Sequence, residues 1–427
     1  MLFYRVLASL ALLAYSPYAL LRSFAGRRRL GDVRGRLGRR PYPDLAGGIW
    51  IHAVSVGEVG VARNLLPALR RRLPGCAIGL SVTTAAGREL AERVLSQVPI
   101  FAFPFDLDGP VERALARVNP GLVIVTETEL WPLFLRRASR QGIPVALVNG
   151  RISARSLARY RLVRRWFARV LEGVVLFAMQ SPEDATRIEA LGGRPERIRV
   201  LGNIKYDLPA PPSFADAGRL RAAAAGRPVV VAGSTGEGEE TLVLEACRRL
   251  LDRPFLILAP RRPERFDEVA RLLERQGLRL LRRSTLDARL VTPDSPVDAY
   301  LLDSIGELAS VYRETALAFV GGSLVPTGGH NPIEAWAAGV PTIAGPHMQN
   351  FREVAARGEA LGILTRVRDV AGLSREIAAA LERPGDSSRR GQMAARFVAA
   401  SAGAADRTAE AVLALVPSLS GRRVSTP

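Results

Sequence analysis

The feature that most constrains this 427-residue chain is a repeated switch of hydrophobic period. Short, continuous apolar runs alternate with longer stretches whose apolar residues recur at helical spacing. Residues 49–54, 77–82, 100–105, 122–125, 145–148, 174–179 and 198–201 read as strands. Residues 59–73, 86–94, 111–118, 130–141 and 182–191 read as the helices between them. A strand apolar on both faces must be covered on both faces, so the pattern predicts a parallel sheet wrapped by helices. Pro209-Ala210-Pro211-Pro212-Ser213 interrupts the alternation and reads as an interdomain linker. It then resumes, with strands at 229–232, 255–259, 299–302, 317–320 and 342–344 and helices at 239–251, 264–276, 305–312 and 332–338. The expected fold is α/β: two Rossmann-like doubly wound domains facing a cleft, with the ligand at the C-terminal ends of the strands. The expected boundaries are 47–208 and 219–417, with a linker at 209–218 and a disordered tail at 418–427.

The N-terminus follows a different rule. From residue 2 to 21 the chain is apolar apart from Arg5 and a few Ser, Tyr and Pro, about the length of a bilayer crossing. Eight arginines follow by residue 40, against the single acid Asp32. The positive-inside rule then keeps everything downstream in the cytoplasm, which argues against a cleaved signal peptide. Residues 1–25 are expected to be a membrane anchor helix, and 26–46 a basic juxtamembrane segment. The net charge of +19 calls for an anionic partner. Aromatics make up only 6%, and no basic stretch is interleaved with stacking rings, so a single-stranded nucleic-acid surface is not expected. Cys76 and Cys247 are the only cysteines and imply no disulfide framework.

Of the sixty Lys plus Arg residues, one is a lysine, Lys205. Where Arg has displaced Lys elsewhere, a surviving Lys hints at a place that needs a compact ammonium. Other polar residues gather just after predicted strands. Glu58, in Val54-Ser55-Val56-Gly57-Glu58, suits a helix cap and a general base equally. In Thr126-Glu127-Thr128-Glu129-Leu130-Trp131-Pro132, spacing assigns helix capping to Glu129 and leaves Glu127 free for the cleft. Arg261 reads as a phosphate clamp or as an ordinary surface turn. Residues 319–335 run from a strand through a Gly-rich loop into a helix opening at Pro332. Its amides would attract a phosphate, and Glu334 could reach a ribose. His52, His330 and His347 lack metal-ligand spacing, so no metal is assigned. Asp106-Leu107-Asp108 reads as a turn. Residues 151–169 carry seven arginines interleaved with Leu157, Leu162, Val163, Trp166 and Phe167; a helix here is basic and amphipathic, suited to an anionic membrane surface or lipid phosphates, or else simply a solvated helix face.

Several segments together resemble the 3-deoxy-D-manno-octulosonic acid (Kdo) transferases of lipopolysaccharide synthesis. In the first half they are Ser55-Val56-Gly57-Glu58, Thr83-Thr84, Glu127-Thr128-Glu129-Leu130-Trp131-Pro132, Asn149-Gly150-Arg151-Ile152-Ser153 and Gly202-Asn203-Ile204-Lys205-Tyr206-Asp207. In the second half they are Ser234-Thr235-Gly236-Glu237-Gly238-Glu239-Glu240, Pro260-Arg261-Arg262-Pro263-Glu264-Arg265 and Gly328-Gly329-His330-Asn331-Pro332-Ile333-Glu334. The resemblance implies a GT-B glycosyltransferase that moves Kdo from CMP-Kdo to the lipid A precursor lipid IVA. It implies inversion, no metal or other cofactor, and a place on the cytoplasmic face of the inner membrane, against its phospholipid. It further implies Glu58 as proton acceptor, with Glu127 and Lys205 supporting the transition state. CMP would be held by Pro260, Arg261, Ile305, Gly306, Glu307, Asn331, Pro332, Ile333 and Glu334. The alternatives are a GT-B transferase or epimerase using another nucleotide sugar, and a membrane-bound polyanion-binding protein.

Overall fold

The computed structural model describes Tyr4 and residues 30–208, 213–285 and 297–415. The chain divides into two units, one of residues 1–207 and 401–427, the other of 208–400. The first carries β1 (Ile49–Ala53), β2 (Ile78–Val82), β3 (Ile100–Ala102), β4 (Leu122–Thr126), β5 (Val145–Gly150), β6 (Val174–Met179) and β7 (Ile198–Val200). Their order across the sheet is β3-β2-β1-β4-β5-β6-β7. The second carries β8 (Val229–Thr235), β9 (Phe255–Pro260), β10 (Leu280–Arg282), β11 (Ala299–Leu301), β12 (Leu317–Val320), β13 (Thr342–Ala344) and β14 (Leu364–Arg366). Their order is β10-β11-β9-β8-β12-β13-β14. Both sheets pair in parallel throughout the described residues.

The continuous apolar runs are explained by what each face touches. Every residue of β1, β4 and β5 is buried. Alternate side chains enter different cores: Ile49, Ile51, Leu122 and Ile124 one, Trp50, Val123 and Val125 the other. Burying one such aliphatic side chain is worth ~1.5–3 kcal/mol, so a strand feeding two cores contributes on both faces. The strand order reverses direction between β1 and β4 in the first sheet and between β8 and β12 in the second. Ligands of doubly wound sheets bind at such switch points, beyond the carboxyl ends of the strands.

Three expectations need correction. The last helix, Ala404–Leu413, does not stay with the C-terminal domain. Ala404, Ala405, Ala409, Ala411 and Val412 are buried in the core of the first unit. Asp207 accepts the N–H groups of Gly403 and Ala405 at its start, and Asp406 pairs with Arg71 (2.9 Å) and Arg72 (2.5 Å). Asp406 is 48% exposed, so these pairs add ~0–1 kcal/mol each and apolar burial holds the helix. Secondly, residues 151–169 form two helices rather than one, Ala154–Arg161 and Arg164–Leu171. The second sinks Phe167, Val170 and Leu171 into the core, while the first has no fully buried residue; the chain turns at Leu162-Val163 to serve both. Thirdly, Glu129 does not cap the helix Pro132–Arg140. Asp106 does, accepting the N–H groups of Leu133 (3.1 Å) and Phe134 (2.7 Å). Asp108 pairs with Arg137 at 2.8 Å. Both carboxylates of the Asp106-Leu107-Asp108 turn are thus spent on structure.

No helix among the described residues is long and apolar enough to cross a membrane. The expected anchor, 1–25, lies outside the described residues except for Tyr4, whose hydroxyl donates to Asp106 Oδ2 at 2.7 Å. Residues 209–212 of the expected linker and the expected tail also lie outside them.

Candidate functional site

In the first unit, the loops after β1 and β4 carry the two expected carboxylates to the switch point. Ser55 opens the helix Val56–Arg72, and Glu58 sits in its first turn, 5% exposed. The Glu58 carboxylate turns back to accept the Val54 N–H (Oε2, 2.8 Å) and the Ser55 hydroxyl (Oε1, 2.9 Å), and its Oε2 lies 3.2 Å from the Thr126 hydroxyl, which also reaches His52 O at 2.8 Å. The Val54 and Ser55 donors favour the anion, but burial outweighs them. With Glu127 and Glu129 adding like charge, the Glu58 carboxyl is pushed up to about 7. Cap and base are therefore not exclusive: the bonds that start the helix also fix the carboxylate's orientation.

Glu127 follows β4 in a left-handed backbone conformation (φ 53°), and Asn149 does the same on β5 (φ 54°). For residues other than Gly this costs ~1–3 kcal/mol and collects at functional sites. The Glu127 N–H still bonds Val148 O at 2.8 Å, so the strand ladder holds the bend. Its carboxylate takes Lys205 Nζ at 2.6 Å on Oε1 and Arg151 Nε at 3.2 Å on Oε2. Lys205 itself lies on the 3-10 turn Ile204–Tyr206 after β7. Its Nζ is 3.8 Å from where a Cβ on Gly57 would stand, which places the ammonium against the Ser55–Glu58 turn. Four chain segments thus bring one carboxylate poised near neutrality beside a carboxylate clamped by two cations.

In the second unit the loops at the β8/β12 switch point are organised by buried carboxylates. Glu239, 0% exposed, accepts four backbone N–H groups: Gly236 (2.8 Å), Gly322 (2.5 Å), Ser323 (2.9 Å) and Leu324 (2.8 Å). Glu240 takes Thr235 Oγ1 at 2.7 Å and a two-pronged contact from Arg265 at 2.8 and 3.0 Å. Gly321 is required here, since a Cβ would meet Ser234 O at 2.3 Å. The Gly-rich loop therefore folds around its own anion, and those amides are not offered to a phosphate. The helix expected to open at Pro332 begins one residue later. That helix is Ile333–Ala337, five residues, and Asn331 Oδ1 already accepts the Ile333 N–H at 3.1 Å.

The remaining residues expected to hold CMP all follow strand ends of this unit. Pro260 is buried at the end of β9, and exposed Arg261 bonds Thr235 O through its N–H at 3.0 Å. Burial, with the Arg261 guanidinium beside it, lowers the His330 imidazole to about 4, so it is neutral near pH 7. After β11, Ile305 is 58% exposed and Gly306 left-handed (φ 90°). Glu307 is engaged by Arg283 through two bonds of 2.9 Å. Glu334 lies near the buried Tyr312, whose phenol is raised well above its ordinary range by burial first and by Glu334 second. Sequence reasoning missed the structural duties of Arg151, Thr126, Glu239 and Arg265. Two of them carry a visible signal, an acid pair directly after Gly236-Glu237-Gly238 and an Arg two residues after Asn149.

Residues 27–208 match the family model described as 3-deoxy-D-manno-octulosonic-acid transferase (kdotransferase). Residues 300–397 match the model for group 1 glycosyl transferases. The 3-deoxy-D-manno-octulosonic acid transferase of Bordetella pertussis is 36% identical, over 88% of this chain and 90% of that protein. The enzyme of the same name from Haemophilus influenzae is 37% identical, over 77% of each. Among solved structures, the UDP-GlcNAc 2-epimerase of Neisseria meningitidis superposes with a TM-score of 0.54 at 12% identity, over 86% of this chain and 100% of that one, a likeness of fold alone. Two parallel-sheet α/β units of this kind are the GT-B glycosyltransferase arrangement.

Proposed function

Because the chain belongs to the 3-deoxy-D-manno-octulosonic acid transferase family, we propose that it transfers Kdo from CMP-Kdo to the lipid A precursor lipid IVA, with inversion and without a metal. The observation that carries the reading is the buried Glu58 carboxyl, near 7, beside the Glu127–Lys205 pair. A general base works best with its pKa close to the working pH. Glu58 takes the proton of the attacking hydroxyl as its oxygen bonds the sugar's anomeric carbon. The bond from that carbon to the phosphate oxygen breaks, and CMP leaves with the electron pair.

Positive charge develops on the sugar during this step, and Glu127 is the anion that meets it. Lys205 and Arg151 hold Glu127 in place, and the Lys205 ammonium is compact enough to face the sugar's own carboxylate as well. In the second unit Arg261 meets the leaving phosphate. The loops of Ile305, Gly306 and Glu307 and of Asn331, Pro332, Ile333 and Glu334, with Pro260, shape the nucleotide site. Glu307 acts there through its pair with Arg283, which fixes the loop.

The lipid acceptor places the enzyme at the inner membrane's cytoplasmic face, anchored by residues 1–25. A second contact is supported by the turn between the two basic helices. There Leu162 (87% exposed) and Val163 (48% exposed) stand among exposed Arg155, Arg159, Arg161, Arg164, Arg165 and Arg169. The test is a donor panel: the purified chain with a tetra-acylated disaccharide acceptor and CMP-Kdo, UDP-sugars or GDP-sugars. Acceptor mass rising by whole Kdo residues with CMP-Kdo alone is expected. Turnover with a UDP-sugar instead would favour the transferase-or-epimerase alternative.

A further inference from the structure

The segment Asn149-Gly150-Arg151-Ile152-Ser153 has no assigned task beyond the Arg151 contact, yet it holds the reaction centre from behind. Lys205 stands on a turn of three residues, Ile204–Tyr206. That turn has only two backbone hydrogen bonds of its own, Tyr206 N–H to Asn203 O and Asp207 N–H to Ile204 O, both 3.1 Å. A lysine side chain carries about 2 kcal/mol of rotamer entropy, so where its stem begins decides where its ammonium ends. Three asparagines supply what the turn lacks. Asn203 Oδ1 accepts the Lys205 N–H at 3.0 Å. Asn149 Oδ1 accepts the Ile204 N–H at 2.9 Å, and Asn64 Nδ2 donates to Ile204 O at 3.1 Å.

Ile204 is thus gripped at both its N–H and its C=O by side chains far away in sequence. Asn149 is 1% exposed and left-handed, and its own carbonyl is fixed by Gln180 Nε2 at 2.8 Å. Its neighbour Val148 holds the Glu127 N–H, and Arg151, two residues on, holds the Glu127 carboxylate. One bend at the end of β5 therefore sets both partners of the Lys205–Glu127 pair. The cost is visible as well. The other atom of each carboxamide, Asn149 Nδ2 and Asn64 Oδ1, is buried with no partner among the described residues. A buried unpaired polar atom costs ~1–3 kcal/mol, and the grip on Ile204 is kept in spite of it.

We propose that Asn149 and Asn64 are positioning residues that fix the Lys205 ammonium against Glu127 by clamping Ile204. The inference rests on the reading of Lys205 as part of the reaction centre. The experiment is a double-mutant cycle on turnover at saturating CMP-Kdo, with Asn149→Gly, Lys205→Ala and the double variant. Glycine keeps the left-handed backbone and removes only the side-chain acceptor. Asn149→Gly is expected to lose about tenfold in kcat, with KM for CMP-Kdo within about twofold, and to cost nothing further once Lys205 is Ala. Losses that multiply in the double variant, or a wild-type kcat in Asn149→Gly, would overturn the proposal. If Asn149→Gly does not fold, Asn64→Ala takes its place in the same cycle with the same two criteria. The failures separate cleanly: a fast Lys205→Ala sinks the reading of Lys205 itself, whereas a slow Lys205→Ala with a fast Asn149→Gly sinks only the clamp.

Discussion

At the scale of single residues, the account turns on two side chains whose surroundings differ in kind. Glu58 is a carboxyl raised mainly by burial from 4.5 to about 7. The folded state therefore binds its proton more tightly than the unfolded chain. Stability from this group is fully present below pH 4.5 and is lost as pH rises to about 7. The melting temperature of wild type relative to Glu58→Gln should fall through that window; a flat difference would show that the carboxyl titrates normally. Lys205, by contrast, is defined by a 2.6 Å contact in a space bounded by Gly57. Lys205→Arg keeps the charge on a broader, planar group, and kcat is expected to drop at least tenfold, ~1.4 kcal/mol, at unchanged melting temperature. Equal rates would make the lone lysine an accident of composition. Both residues are legible in the sequence alone, Lys205 by its rarity and Glu58 by its place after a buried strand. The cap-or-base question is not, because its answer depends on Thr126 and Glu127, which are distant in the chain and meet Glu58 only across the β1–β4 pair.

At the scale of elements, strands and helices are readable where a segment owns its hydrophobic pattern. They are obscured where a partner decides. The basic stretch 151–169 looks like one helix because its apolar residues keep helical spacing through the turn. Only the core position of Phe167 breaks it. That turn carries a prediction. Inserting Leu162 and Val163 into lipid is worth ~1.5–3 kcal/mol each, and each flanking arginine adds ~1 kcal/mol at an anionic surface. In the chain lacking residues 1–25, Leu162→Glu with Val163→Glu should weaken binding to phosphatidylglycerol vesicles at least tenfold in flotation, with the fold unchanged; undiminished binding would remove this turn from the membrane contact. The Gly-rich loop after β12 has the composition of an anion cradle, and it is one, but for Glu239. Glu239→Ala strands four amides and should cost at least ~3 kcal/mol in the chemical denaturation of the second unit. An unchanged midpoint would show that the loop holds itself.

At the scale of the molecule, the doubly wound architecture follows from the alternating periods, and the reversal of strand order puts Glu58 and Glu127 on neighbouring strand ends. What the sequence hides is the path of the last helix, since small alanine faces look alike whichever core they enter. Residues 208–400 alone should therefore fold and be stabilised by CMP in a melting assay, whereas the full chain cut after residue 400 should expose the first unit's core and aggregate. A stable, active chain lacking 401–427 would contradict that division. Everything proposed for the reaction rests on Glu58 as the base of a Kdo transfer. The most direct measurement of that role is the pH dependence of kcat/KM for transfer from CMP-Kdo to a tetra-acylated disaccharide, wild type against Glu58→Gln, with products weighed by mass spectrometry. The wild-type profile is expected to fall tenfold per pH unit below about 7. The Glu58→Gln enzyme is expected to be slowed ~10²–10⁴-fold, to have lost this acidic limb and still to bind CMP. A Glu58→Gln enzyme with near-normal rate and the same profile would contradict that role.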